Sequence, residues 1–168
     1  MNDIQRLVPD PVLVLGALCA KPADQTHARS EIRPVQMIHD GHVQPIAFFD
    51  AWGEFGVSAL AWPVDRPHVF YITTGNDLYK LDLQTQTLTT FDIPDLVDVH
   101  EITIIDGILW LANTARNEIV AFDVARDAVV ERRNLLPLAD SVSEERSQSD
   151  GSYVERFHCN QVFKGFDG

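Results

Sequence analysis

The chain has 168 residues, of which 45% are hydrophobic and 23% charged, enough apolar content to bury one core and no compositional mark of disorder. Its formal net charge of -12, with no cluster of Lys or Arg to interrupt it, excludes unaided binding to phosphate backbones and anionic membranes. Neither a nucleic-acid nor a membrane partner is expected.

The first element in chain order is the apolar run "PVLVLGALCA", Pro11 to Ala20, which is too short to span a bilayer. It follows Asp3, Arg6 and Asp10, the wrong charge balance for a leader, and Leu18 is too large for a lipoprotein cleavage site before Cys19. A cytoplasmic location is the expectation. The only other cysteine is Cys159, so neither a disulfide framework nor a structural zinc site is implied, and both thiols are expected reduced. Lys21 to Ile32 reads as a loop or short helix without an apolar stripe. Next, "PVQMIHDGHVQPIAFF" reads as a hairpin closed by Asp40-Gly41, a favoured two-residue turn. The histidines flanking that turn, His39 and His42, are spaced to face each other across the hairpin at metal-binding distance; the preferred reading is two polar residues decorating an exposed turn.

From Val43 onward apolar and polar residues alternate in short runs rich in Val, Ile, Leu, Phe and Tyr. The chain is all-β. A repeat lies within it: "HVFYITTGNDLYKLDLQTQTLTTF" (His68 to Phe91) aligns with "ILWLANTARNEIVAFDVARDAVVER" (Ile108 to Arg132), matching Asn76 to Asn117, Asp82 to Asp123 and Leu88 to Val129. Upstream, "VSALAWP" matches "VHEITIID", which completes a four-strand unit of roughly forty residues, the period of propeller blades. Each unit is apolar on both faces and must stack on neighbours about an axis. Two consecutive meanders of a β-sandwich share the hairpins but do not require the same internal order twice. The expected fold is therefore a partial β-propeller: about two complete four-stranded antiparallel blades plus partial blades, in one domain spanning 1–168 and incomplete at its C-terminus. The N-terminal strands belong to a first blade or to an outer strand that closes a ring.

The polar stretch Ala139 to Ser152 reads as a long loop between blades or a lid over the channel mouth. "VERFHCNQVF", Val154 to Phe163, is expected as the innermost strand of a third blade, with no strand after it. Either the chain is a fragment of a longer protein or other copies cover its open sides. Trp52, Trp62 and Trp110 are expected in blade cores.

Inner strands line the channel of a propeller, and here they carry "DVHEI" and "FHCNQ", each with a histidine in the corresponding place. His100, Glu101, Asn113, His158 and Asn160 are the candidate ligand-binding residues. Alternation turns His158 and Asn160 to one face and Cys159 and Gln161 to the other, which argues against a Cys–His dyad. The same rule separates His100 from Glu101 unless a bulge re-aims one of them. Glu101, Asn113 and Asn160 form an oxygen-rich set suited to a hard cation such as calcium, although three ligands fall short of the six to eight that calcium prefers. No cofactor is required by the sequence; a divalent cation is the candidate. No nucleophile-elbow, P-loop or zinc-protease motif is present.

The order His-Glu, then "LW..NT", then "FH.NQV" resembles a family of uncharacterised bacterial six-bladed β-propeller-like proteins, over roughly Tyr71 to Phe163. The resemblance implies that the chain is part of a six-bladed ring, and it implies no particular reaction. More loosely, the chain is similar to gluconolactonase and senescence-marker-type propellers, which hold a divalent cation through one Glu and two Asn or Asp. That likeness transfers to Glu101, Asn113 and Asn160 only, since a further acidic ligand would lie beyond Gly168. Three functions follow as expectations, with catalysis left open: a binding module for a small molecule or protein at the channel face, a metal-dependent hydrolase or lyase, or a structural piece that completes a ring as a homo-oligomer.

Overall fold

A computed structural model of the chain describes residues 12–15, 35–39, 42–45, 57–136, 146–147, 154–155, 159, 161–162 and 164–165. Strands β1 (Val12–Leu15), β2 (Val35–His39) and β3 (His42–Pro45) form an antiparallel sheet in that order. The last pair of the β2–β3 ladder is His39 with His42, the register that a two-residue Asp-Gly turn dictates. His42 is exposed.

Two four-stranded sheets follow. The first runs β4 (Ala59–Ala61), β5 (Val69–Thr73), β6 (Leu78–Asp82), β7 (Thr87–Phe91), each strand antiparallel to the next. The second repeats the order with β8 (Val99–Ile105), β9 (Ile108–Asn113), β10 (Glu118–Asp123) and β11 (Ala128–Asn134). The internal match reaches atomic detail in the outer turns. Asp82 Oδ1 accepts the N–H groups of Gln84 (2.8 Å) and Thr85 (3.1 Å), and Asp123 Oδ1 accepts those of Ala125 (2.8 Å) and Arg126 (3.1 Å). Each turn then passes through a left-handed residue, Gln86 at φ 54° and Asp127 at φ 51°. A short acidic side chain that bonds its own backbone two and three residues on is what makes both turns fold alike.

Alternation gives each sheet two apolar faces. One face of the first sheet, carrying Ala59, Ala61, Val69, Tyr71 and Leu78, packs on Val99, Ile102, Leu109, Leu111, Val120 and Phe122 of the second, with Ile93 and Leu96 of the connecting loop beside them. Phe122 stacks edge-on against both Phe91 (centroids 4.9 Å) and Tyr71 (6.1 Å). Fully burying a side chain of this size contributes about 1.5–3 kcal/mol, so this seam holds the two sheets together. The opposite face of the first sheet gathers Phe70, Ile72, Tyr79 and Leu81, and that of the second gathers Ala112 with Leu135 and Cys159.

The sheets meet closely at their first strands, β4 beside β8. At the outer edge they splay around an open cleft of about 640 Å³ between the loop after β7 and strands β10–β11. Lys80 pairs with Asp127 in that outer region, and Asp127 also accepts the Tyr71 hydroxyl at 3.3 Å. Two identically ordered sheets, close at the hub and spread at the rim, are neighbouring propeller blades. The fold is thus all-β, a partial propeller with two complete blades.

Three expectations change. Within the stretch read as a loop or lid, Arg146–Ser147 (β12) pairs with Val154–Glu155 (β13). The innermost strand expected over Val154 to Phe163 is confined, among the described residues, to Val154–Glu155; Cys159, Gln161 and Val162 lie outside any strand. Cys159 instead docks through its carbonyl, which accepts the Thr114 hydroxyl at 2.6 Å, so a side chain replaces the ladder there. Trp62 is not blade core: it is 51% exposed, its ring resting 6.3 Å from Phe70, because the Pro63 to Pro67 turn carries it off the sheet. Trp110 is half-buried on an outer face beneath the Arg133 guanidinium. Lys21 to Ile32, Cys19 and Trp52 lie outside the described residues.

Candidate functional site

Strand β8 opens the second blade at the hub, and three connections converge on its start. The Val99 N–H donates to the Gly75 carbonyl (2.8 Å) and the Asp98 N–H to Asn76 Oδ1 (3.3 Å), both in the β5–β6 turn of the first blade. The Thr114 N–H donates to the Asp98 carbonyl (3.3 Å) and Ala115 N–H to that of Val97 (3.4 Å), from the 3-10 turn Thr114–Arg116. Asp95 and Asp98 hold φ of 61° and 56°, a conformation that Asp tolerates better than most residues.

The β8–β9 ladder then slips. Val99 faces Asn113 and Ile102 faces Leu111, so His100 and Glu101 together oppose Ala112 alone. This bulge breaks the strict alternation that would send the two side chains to opposite faces, and both end up half-buried. His100 Nε2 lies 3.0 Å from Asp98 Oδ2. Glu101 has a different environment: burial pushes its carboxyl above the usual range, offset in part by a hydrogen bond from the Ile102 N–H.

Asn113 is fully buried on the neighbouring strand, and its amide is engaged at both ends. Its Oδ1 accepts the Val97 N–H (2.8 Å), while its Nδ2 donates to the Asp95 carbonyl (2.9 Å) and to Glu118 Oε2 (2.9 Å). Glu118 in turn pairs with Arg132 at 2.8 Å, and Arg116 with Asp95. Asn113 therefore shapes the loop that carries Asp98. Of the five candidates, His100 and Glu101 come together at the bulge, Asn113 supports them from the next strand, and His158 and Asn160 lie outside the described residues. Asp98 was the residue missed. It opens the "DVHEI" stretch, but only its left-handed backbone brings its carboxylate back to the histidine two residues on. Among the described residues no group of three His, Cys, Asp or Glu is placed to hold a metal ion.

No protein-family model matches the chain, and no curated protein matches it. Among solved structures it is similar to virginiamycin B lyase from Staphylococcus aureus (17% identity, TM-score 0.48, 60% of this chain on 33% of that one). It is also similar to a chain of a nidogen/laminin complex (13%, 0.47, 60% on 38%) and to a luciferin-regenerating enzyme (16%, 0.43, 60% on 36%). The chain spans about a third of the length of these structures. Identities this low carry nothing about chemistry. No helix among the described residues is long and apolar enough to cross a membrane.

Proposed function

We propose that the chain is a propeller-type binding module that takes a small ligand or a protein at the channel face, centred on His100 and Glu101, with Asn113 shaping the site and His158 and Asn160 contributing from the following segment. One observation carries this reading. By ladder partners Leu60 of the first blade's inner strand corresponds to Ile102 of the second, so Val57, Ser58 and Ala59 stand where the second has Asp98, Val99 and the bulged pair His100 and Glu101. The first blade builds the same strand position from apolar and small residues, so the architecture does not require three ionisable groups there. Half-burying such groups costs stability, and proteins bear that cost at sites of recognition and chemistry.

The test is a thermal-shift screen with a metabolite panel and with millimolar calcium, on the wild type and on a His100→Ala, Glu101→Gln double variant. A ligand held by the folded state raises Tm, and the variant should lose that rise. Equal shifts in both proteins would discard the channel-face site. A calcium shift lost in Glu101→Gln would favour the metal-dependent hydrolase or lyase, against which stands the engagement of the Asn113 oxygen with Val97.

A further inference from the structure

We propose that the cleft between the two blades at the rim is a second recognition site, which docks an extended segment of a protein partner carrying basic side chains beside apolar ones. It stands apart from the channel face and does not depend on the reading given there. One wall is the loop from Phe91 to Asp95, and the other follows β10 from Phe122 back to Glu118 and β11 from Ala128 on to Asn134. The seven residues of β11 span about 20 Å at a strand's rise per residue, so the opening of about 640 Å³ is a trench long enough for about six extended residues. Phe91 and Phe122, stacked edge-on, line it at one end, and Val129 is left 38% exposed beside them.

Its charge selects the occupant. The guanidiniums at the other end are already engaged: Arg132 donates to Glu118 and to the Pro94 carbonyl, tying the two walls together, and Arg116 pairs with Asp95. The Asp95 side chain is nonetheless 64% exposed, and the exposed Asp92 carboxylate has, among the described residues, neither an ion pair nor a hydrogen bond. The trench therefore offers oxygen acceptors and apolar surface while its own cations are in use, within a chain of formal net charge -12. The chain itself shows what suits this surface. The Lys80 ammonium pairs with Asp127 and lies 5.5 Å over the Phe91 ring, and both of those residues line the trench. A partner laid along it in extended form would bury alternate apolar side chains against Phe91 and Val129, while lysine or arginine stems reach the carboxylates at the lip.

The probe is an amidated hexapeptide of alternating leucine and lysine with an N-terminal rhodamine, titrated with the full chain and read by fluorescence anisotropy. The same peptide with glutamate for lysine should bind at least about tenfold more weakly. Asp92→Lys, at an exposed position, should weaken binding of the lysine peptide about tenfold, and Val129→Ser about threefold. Asp65→Lys makes the same charge change in the β4–β5 turn, outside the trench; it and the His100→Ala, Glu101→Gln double variant should each leave binding within about twofold. Circular dichroism verifies that each variant folds. No binding at millimolar chain, equal binding of the glutamate peptide, binding that survives Asp92→Lys, or an equal loss in Asp65→Lys would each overturn the inference. Displacement of the probe by n-butylammonium at equal concentration would give the trench to free amines and overturn the docking of a chain segment. Loss confined to the channel variant would move the peptide to the channel face and overturn the rim site, leaving the binding module standing.

Discussion

The two blades share strand order, turn chemistry and core, and differ where they meet the hub. In the first, Val57 to Ala61 is a regular strand start of small and apolar residues. In the second, Asp98 to Ile102 is bulged, left-handed at its first residue and ionisable at three positions. The first blade shows what the fold alone demands. What the second adds at Asp98, His100 and Glu101 belongs to something other than stability; the buried Asn113 is not part of that difference, since Thr74, its counterpart by ladder partners, is a fully buried polar residue too.

The largest effects are expected in the shared core. Phe122 and Leu81 occupy matching positions, but Phe122 lies in the seam between blades and Leu81 on the far face of the first. Phe122→Ala should cost about 3–5 kcal/mol in urea denaturation and Leu81→Ala about 2–5 kcal/mol. If Phe122→Ala proved the milder of the two, the seam would not be what unites the blades.

Tyr71 gives the next largest effect. Burial first, then the nearby Asp127 carboxylate, raises its hydroxyl to about 12. The unfolded chain releases this proton near the ordinary value of 10, so between pH 10 and about 12 the folded state holds more protons and stability falls as pH rises. The full loss across that window is at most about 3 kcal/mol. Tyr71→Phe should flatten this part of the stability-versus-pH curve, measured by chemical denaturation; an unaltered slope would remove Tyr71 from the account.

The outer turns sharpen the likeness on a smaller scale. Asp82→Ala and Asp123→Ala should lower the denaturation midpoint by closely similar amounts, since each carboxylate makes the same two backbone bonds. Clearly unequal effects would limit the internal symmetry to strand order.

The smallest effect tests the difference at the hub. The raised carboxyl of Glu101 means that the folded state favours its neutral form, so Glu101→Gln should raise the midpoint slightly at pH 7. As pH falls and the wild-type carboxyl takes up its proton, the two proteins should converge. A midpoint lowered by the substitution would mean that the charge is compensated in the folded chain.

Much of this was legible in the sequence because turn chemistry is local. Asp82 and Asp123 mark their turns within three residues of themselves, Asp40-Gly41 sets the register of its hairpin, and alternation over β5 to β11 defines both faces. The bulge was legible only as a condition on His100 and Glu101, because two residues facing one is a property of the partner strand. Asn113 read as a ligand since a polar residue ending an inner strand looks the same whether its amide faces a channel or a loop. Trp62 looked like core because aromatic bulk in a strand context usually is, and the exposed turn that follows outweighed it. The segment around Cys159 read as a strand by alternation, yet among the described residues Cys159 is held by the Thr114 hydroxyl and by packing on Ala112 and Leu135.

One feature of the rim bears on how such a chain can grow. Every residue of β11 is exposed, its pairing with β10 is irregular near Val129, and Glu131 and Arg133 bond each other along its length. An incoming strand would meet a kinked, ionic border with its polar partners already engaged. Pairing of a further strand at this border, and with it the open-ended ribbon that leads to fibres, is thereby discouraged.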